Sequence, residues 1–351
     1  MRAYLAGLDV GEPEGELSWR EVGHRALEEL RPSQRYRGFE VVRIAGQPLL
    51  FSEELNRLLS EPRIPLSFEQ QAFRLRGAEA ECAGFILRRR LKAEEKLSNA
   101  VKVRLASDLT PHAVRFRLPA VIQPSDRFAG LCTNEIATGE IRRVGQGGLV
   151  LSGRDLLARG EVIRDLWASR CANHIGVSVL AFTCDGYAVL VRKARHAANV
   201  PDRLSASGSD SVDWADCRRL GTLLLETLVL RAMKRELAER TGISPELISD
   251  VALIGYARVL FRGGKPQFFG TARLDLEAGE IRARDTEDDR VAGFVMAKLD
   301  PSSPDALDRG LAQLAAERRK SLSASLAVLL ELLRLQLRSK GAEILELLGR
   351  P

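Results

Sequence analysis

The chain is poor in the residues that staple small folds or build metal sites from local spacing. Its five cysteines (Cys82, Cys132, Cys171, Cys184, Cys217) are odd in number, widely spaced and form no CxxC pair, and the four histidines (His24, His112, His174, His196) are equally scattered. These spacings argue against a disulfide framework and against a locally spaced zinc site. Aromatic residues make up only 5%, so a core has to rest on Leu, Val and Ala. Long apolar runs are also missing. The opening MRAYLAGLDVGEPEGEL lacks the apolar segment of a signal peptide. The late stretch LSASLAVLLELLRLQL, from Leu322, is broken by Glu331 and Arg334 and is too short to span a bilayer. A cytoplasmic protein with no membrane partner is the expectation.

Charge is nearly balanced. The excess of +6, from 53 basic against 47 acidic residues, favours anionic ligands but is too diffuse to announce nucleic-acid binding. The dense run Arg88–Lys92 is followed at once by Ala93-Glu94-Glu95-Lys96 and reads as the wet face of a helix. With 351 residues, 45% of them hydrophobic and 28% charged, the chain has the composition of a folded protein of two domains, or of one domain with large appendages.

Local patterns suggest three parts: an α+β N-terminal domain over 1–165 with no assigned function, a domain over 166–300, and amphipathic helices over 301–351. In the first part, RAYLAGL reads as a strand and Ser18–Leu30 as a helix. Gly38–Phe51 reads as two strands around a glycine turn, and Ala78–Asn99 as helical. VKVRLAS and AVRFRLPAVI alternate apolar and basic residues, which predicts strands with one wet face. Ser125–Gly153 reads as a connection and Leu156–Ser169 as a helix.

The second part is more informative. Gly176–Ala194 is two apolar runs joined by Cys184-Asp185-Gly186, a hairpin signal. A polar loop, a long helix from about Cys217 to Arg240, a strand pair around Arg262–Lys265, the acidic loop RDTEDDR and a last strand AGFVMAKLD follow. From Pro304 the chain is Leu-rich and amphipathic, to be packed on the body or on a second copy as a homodimer.

The long helix ends in Arg235-Glu236-Leu237-Ala238-Glu239-Arg240-Thr241-Gly242-Ile243. In its strand context this segment resembles the signature of the Nudix hydrolases, G-x5-E-x7-R-E-U-x-E-E-x-G-U, with U aliphatic. The resemblance covers about residues 174–300. It implies an α/β fold, an α/β/α sandwich on a mixed sheet, and cleavage of a nucleoside diphosphate derivative with Mg²⁺ or Mn²⁺. By carry-over, Glu236 and Glu239 are the metal-binding acids, Glu236 is also a base toward water, and Arg235 orients them. Glutamates three apart share a helix face, and Gly242 suits the left-handed end of a helix.

The signature is departed from twice. Arg240 stands where the family has a second Glu. Counting upstream without a gap puts Gly221 and Thr227 at the signature Gly and Glu, with Glu226 one place early. A gapped reading instead makes Ser205–Ser209 the glycine loop, with Ser207, Gly208 and Ser209 at the cofactor and Asp213 (or Asp216) as the upstream acid. A guanidinium about 4 Å from a carboxylate interacts by roughly 1 kcal/mol in water and about 4 kcal/mol at an effective dielectric near 20. Metal affinity would fall by about one to three decades. Mg²⁺ often needs only one or two carboxylates beside substrate phosphates, and Arg240 is itself able to clamp a phosphate.

Plainer readings stand beside these. Arg235 with Glu239, and Glu236 with Arg240, are opposite charges four apart, as on an ordinary exposed helix. Ser205 and Ser211 extend the possible phosphate hydroxyls, Trp214 is a base platform or a packing anchor, and Asp285, Glu287, Asp288 and Asp289 are further acids or a solvated turn. Asn173-His174 reads as a cap or core pair. Two functions follow: a metal-dependent Nudix-type hydrolase, or a degenerate Nudix-like module that binds a nucleotide or a partner without turnover.

Overall fold

The computed structural model describes residues 16–59, 63–91, 99–145, 147–194, 203–217, 223–284, 286 and 288–349. The strand expected at RAYLAGL lies outside them. The apolar runs assemble into a nine-stranded mixed sheet: β1 (Glu40–Ile44), β2 (Gln47–Phe51), β3 (Gly176–Thr183), β4 (Tyr187–Lys193), β5 (Leu204–Ser205), β6 (Gly208–Ser211), β7 (Ile248–Val259), β8 (Lys265–Leu274) and β9 (Val291–Lys298). The order is β5-β4-β3-β8-β7-β2-β1, with β6 also paired to β3 and β9 to β4. The β3–β8 ladder is parallel, in register Gly176↔Gln267 to Thr183↔Leu274, and its neighbours are antiparallel. The Cys184-Asp185-Gly186 turn forms as expected, with Gly186 at φ 85.

The two faces of the sheet bury different helices, because successive side chains point to opposite sides. Val177, Val179 and Ala181 face helix α1 (Leu225–Thr241), while Leu180 and Phe182 face the other side. The buried residues of α1, Leu225, Leu228, Val229, Ala232, Met233, Glu236 and Leu237, recur at helical spacing and form its sheet-facing stripe. The helix stops at Gly242, at φ 65, whose N–H donates to Ala238 O at 2.9 Å. On the opposite face, α2 (Pro304–Glu317) and α3 (Ala324–Leu347) pack Leu307, Leu311, Leu326, Leu329 and Leu333 against Leu180, Leu190 and Phe269. Helix, sheet and helix make the expected α/β/α sandwich, and the Leu-rich tail packs on the body of its own chain. No helix among the described residues is long and apolar enough to cross a membrane.

The N-terminal half reaches into this sandwich. Strands β1 and β2 extend the sheet edge through Arg258↔Leu50 and Val259↔Leu49. A small sheet of Leu66–Phe68, Ala120–Asp126 and Val101–Leu105 lies against the β3–β6 end, with Val103 N–H donating to Val212 O and Ile175 N–H to Val103 O, both at 2.9 Å. Arg258 of β7, fully buried, donates to Gly264 O (3.0 Å), Arg164 O (2.8 Å) and the Tyr36 hydroxyl, so a charged side chain fastens the two halves.

Several local expectations are corrected. Ser18–Leu30 is not a helix: Leu17–Glu21 is a strand paired with Gly139–Arg143, followed by the short helix Arg25–Glu28. Trp19 lies over Gly139, where a Cβ would come within 2.0 Å of the indole. The helix expected at Leu156–Ser169 ends at Leu157, and Gly160, at φ 60, turns the chain into the hairpin Ala158–Arg159/Val162–Ile163. Ser125–Gly153 carries the helix Arg127–Cys132 and two strands rather than a bare connection. Thr110 Oγ1 accepts from Ala113 N–H at 3.1 Å and Pro111 starts a helix over Pro111–Arg115 that runs into the expected second strand. Lys102 and Arg104 of VKVRL are buried rather than wet.

Candidate functional site

The C-terminal turns of α1 lie beside β6, the loop after it and the acidic loop, and together they form a dense charge cluster. Its centre is Arg235. The guanidinium binds Asp216 through Nε (2.9 Å) and Nη2 (3.0 Å), Asp213 Oδ2 at 3.1 Å, Glu236 Oε1 at 2.7 Å and Glu239 Oε2 at 3.0 Å. Four carboxylates thus share one planar cation, whose fork of donors suits such recognition. Burial works against the charge of Arg235, but these acids outweigh it and push its pKa higher still.

Arg240 occupies the next turn. Nη1 lies 3.0 Å from Asp288 Oδ2, Nη2 lies 3.7 Å from Asp210 Oδ2 and 3.3 Å from Ser209 O, and Nε lies 3.9 Å from Glu236 Oε2. Its side chain is only 13% exposed. Arg290 completes the ring, with Nε and Nη2 on Asp288 (2.8 and 2.9 Å) and Nη1 3.5 Å from Asp210. From the N-terminal half, Lys102 Nζ reaches Asp213 Oδ1 at 2.6 Å, and Lys265 Nζ donates to Ser211 Oγ at 2.8 Å.

Electrostatics separate the buried acids. Burial opposes ionisation of Asp210, but Lys102, Arg240 and Lys265 hold its carboxyl far below the usual range. Glu236, 2% exposed, is pushed up to about 7 by burial and then by the Asp210 charge, with Arg235 and Arg240 opposing. Burial, then Arg262, bring Lys265 down to about 7. His174 is buried, with Nε2 3.0 Å from Ser125 Oγ, and burial followed by Lys265 and Lys102 lowers it to about 3, so it stays neutral in the core.

The expected glycine loop is the end of β5 and the start of β6, joined through Ala206 and Ser207. Ser207, fully buried, donates from Oγ to Val189 O (2.6 Å) and accepts from Ala181 N–H (2.8 Å). Ser209 Oγ pairs with Ser178 Oγ at 3.0 Å. Gly208 is where the helix crosses the strand: a Cβ there would stand 2.7 Å from Leu237 N, 2.9 Å from Val179 Cγ1 and 3.0 Å from Glu236 C. The glycine is required by close packing, and Ser207 has no hydroxyl capacity turned to solvent. Ser205 Oγ is likewise spent on Val191 O, at 3.4 Å. Trp214 packs edge-on to Phe68. Asp285 and Glu287 lie outside the described residues.

Glu236 Oε1 is held by Arg235, and Oε2 is buried with no hydrogen-bond partner. Glu239, 53% exposed, is held by the same Arg235 Nη1. The two glutamates therefore share a guanidinium rather than an open coordination space, and Arg240 Nε lies 3.9 Å from the remaining oxygen of Glu236. Among the described residues, no group of three or more His, Cys, Asp or Glu is arranged to hold a metal ion.

No protein-family model matches the chain, and no curated protein matches it. Solved structures do. DR0079 from Deinococcus radiodurans is 18% identical over 45% of this chain and 81% of that one, with a TM-score of 0.30. Tm1382, a proposed Nudix hydrolase, is 11% identical over 46% and 71%, with a TM-score of 0.31. RenU, a Nudix hydrolase from M. smegmatis, is 15% identical over 51% and 92%, with a TM-score of 0.29. Two of the three carry the Nudix hydrolase name. At TM-scores near 0.3 the likeness says nothing about chemistry, which rests on the side chains themselves.

Sequence reading found Arg235, Glu236, Glu239, Arg240, Asp213, Asp216 and Asp288, which the fold does bring together. It missed Asp210, Arg290, Lys102 and Lys265. Asp210 had a signal, since it follows Ser209 in the same polar stretch. Lys102 had none, because its partner comes from a distant part of the chain.

Proposed function

We propose that this chain is a Nudix-like module that binds a nucleotide without hydrolysing it, the cation position at the end of α1 being taken by Arg240. The observation that supports this reading is the Arg240 guanidinium, 3.0, 3.7 and 3.9 Å from carboxylate oxygens of Asp288, Asp210 and Glu236. Mg²⁺ requires near-octahedral oxygen ligands. To gather them here it would have to displace Arg235 from two glutamates and Arg240 from the acids around it. The cluster then works as a clamp: Lys102 and Arg235 meet on Asp213, joining the N-terminal half to the helix end.

The second reading is the metal-dependent hydrolase of a nucleoside diphosphate derivative. It draws on Glu236, whose unpartnered Oε2 and pKa of about 7 are the properties of a general base. The two readings separate in one assay: Mg²⁺- or Mn²⁺-dependent release of a mononucleotide from ADP-ribose, NAD, dinucleoside polyphosphates and nucleoside triphosphates. Release no greater than in the metal-free control is expected. Metal-dependent release that disappears in the Glu236→Gln/Glu239→Gln double variant would contradict the proposal.

A further inference from the structure

Three backbone stretches far apart in the chain meet at one rim of the sandwich. Lys193 N–H, at the end of β4, donates to Arg203 O at 3.0 Å, and Arg192 stands opposite Leu204 of β5. On the other side of β5, Leu204 N–H donates to Ser321 O and Leu204 O accepts from Ser323 N–H, both at 2.7 Å. This pairing seats the turn between α2 and α3, with Arg318, Arg319 and Lys320 all exposed, against the same strand. Neighbouring strands lie about 4.8 Å apart, so six cations gather on three adjacent backbone paths. The charge excess that is diffuse along the sequence is concentrated here by the fold.

Like charges set side by side across strands repel. Arg43, Arg115 and Arg334 each take an acid, Glu28, Glu54 and Asp308 in turn. By contrast, Arg192, Lys193, Arg203, Arg318, Arg319 and Lys320 have no ion-pair partner among the described residues. Glu317, at the end of α2, accepts from Gln313 Nε2 at 2.7 Å. Lys193 is half-buried, and burial followed by the charges of Arg240, Arg262 and Arg203 lowers its pKa, with Asp210 opposing. The rim therefore adjoins the Arg240 end of α1 and carries positive charge that no acid of its own balances.

The surroundings select among polyanions. Firm attachment to an anionic bilayer adds apolar insertion to charge attraction, and a protein partner adds aromatic or aliphatic anchors. Among the described residues, no large exposed hydrophobic side chain falls within 187–205 or 313–323. A phosphodiester backbone asks for cations alone, because its binding is driven by release of condensed counterions. Guanidinium forks also fit phosphate oxygens two at a time.

We propose that this rim binds the phosphate backbone of nucleic acid without reading its sequence, its six cations meeting successive phosphates. The proposal does not rest on the preceding reading, since a backbone held here needs none of the groups around Arg235.

The test is fluorescence anisotropy of the full chain with labelled single-stranded and duplex oligonucleotides, from about 50 to 200 mM salt. Log affinity should fall linearly with log salt, with a slope of about four to five for six cations. Arg318→Gln/Arg319→Gln/Lys320→Gln should flatten that slope by about two to three and weaken binding about tenfold or more at the lowest salt. Arg74→Gln/Arg76→Gln/Arg88→Gln removes the same charge from exposed positions elsewhere and should leave the slope nearly unchanged. All six replaced side chains are exposed, so both triple variants should melt with the wild type. Absence of binding at about 50 mM salt, or an equal loss in the two triple variants, would overturn the rim as a site. Binding to phosphatidylserine vesicles that needs Arg318–Lys320, with none to oligonucleotides, would overturn it in favour of a membrane surface.

Discussion

Arg235→Met is expected to lower the melting temperature by about 4–7 °C at pH 8 and by clearly less at pH 5. Removing the cation from a buried ion cluster strands its partners and costs about 3–5 kcal/mol. The entropy of unfolding is about 2.1 cal/mol/K per residue, so 351 residues make each kcal/mol worth roughly 1.4 °C. Asp216 and Glu236, the most buried of the four acids, lose the most. The pH dependence follows from Glu236. Its carboxyl sits at about 7 in the folded chain against an ordinary 4.5, so the folded state holds an extra proton between those values. Stability contributed by that proton is present below 4.5 and is lost as pH rises through 7. At about 1.4 kcal/mol per pH unit, the loss over this window is on the order of 3 kcal/mol. Arg235 opposes the rise, so its removal widens the window and enlarges the deficit at high pH. Thermal melts from pH 5 to 8 measure this directly. A deficit independent of pH would contradict the coupling between Arg235 and Glu236.

Gly208→Val is expected to destabilise by about 1–3 kcal/mol or more, because added atoms in a packed site force the backbone apart. The obstacle at Gly208 is chiefly the main chain of α1 at Glu236 and Leu237. A shift of that helix also disturbs Arg240, whose Nη2 donates to Ser209 O at 3.3 Å. Gly208→Ala should show the smaller part of the effect. Gly279→Ala, in the short helix Ala278–Arg282 with no atom within 4 Å of the new Cβ, serves as the control and should change stability little. Equal melting temperatures for Gly208→Val and wild type would mean that the helix is not seated on β6 as described.

How much was legible in the sequence depended on how local the cause was. The hairpin at Gly176–Lys193, the strand pair on either side of Arg262–Lys265 and the Gly242 helix end were readable because turn chemistry and helix capping act within a few residues. The Leu-rich tail was readable by its period. By contrast, Ser205–Ser209 has loop composition yet forms strands, because β3 and β4 offer it edges to pair with. Lys102 and Arg104 gave a false wet face, since their partners, Asp213, Gln123 and the Leu166 carbonyl, are assembled only by the tertiary fold. At the site itself, the spacing of Arg235, Glu236 and Glu239 showed that they share a face. It did not show that Arg235 would take both carboxylates, or that Arg240 would turn inward to Asp210 and Asp288.

Titration of the protein with Mn²⁺, followed by calorimetry, asks whether Arg240 stands where a cation would. Wild-type protein should give no saturable heat at millimolar Mn²⁺, because two guanidinium groups already neutralise the acids at the end of α1. A saturable isotherm in the wild type that vanishes in Glu236→Gln would contradict the account and restore the metal-binding pair of glutamates.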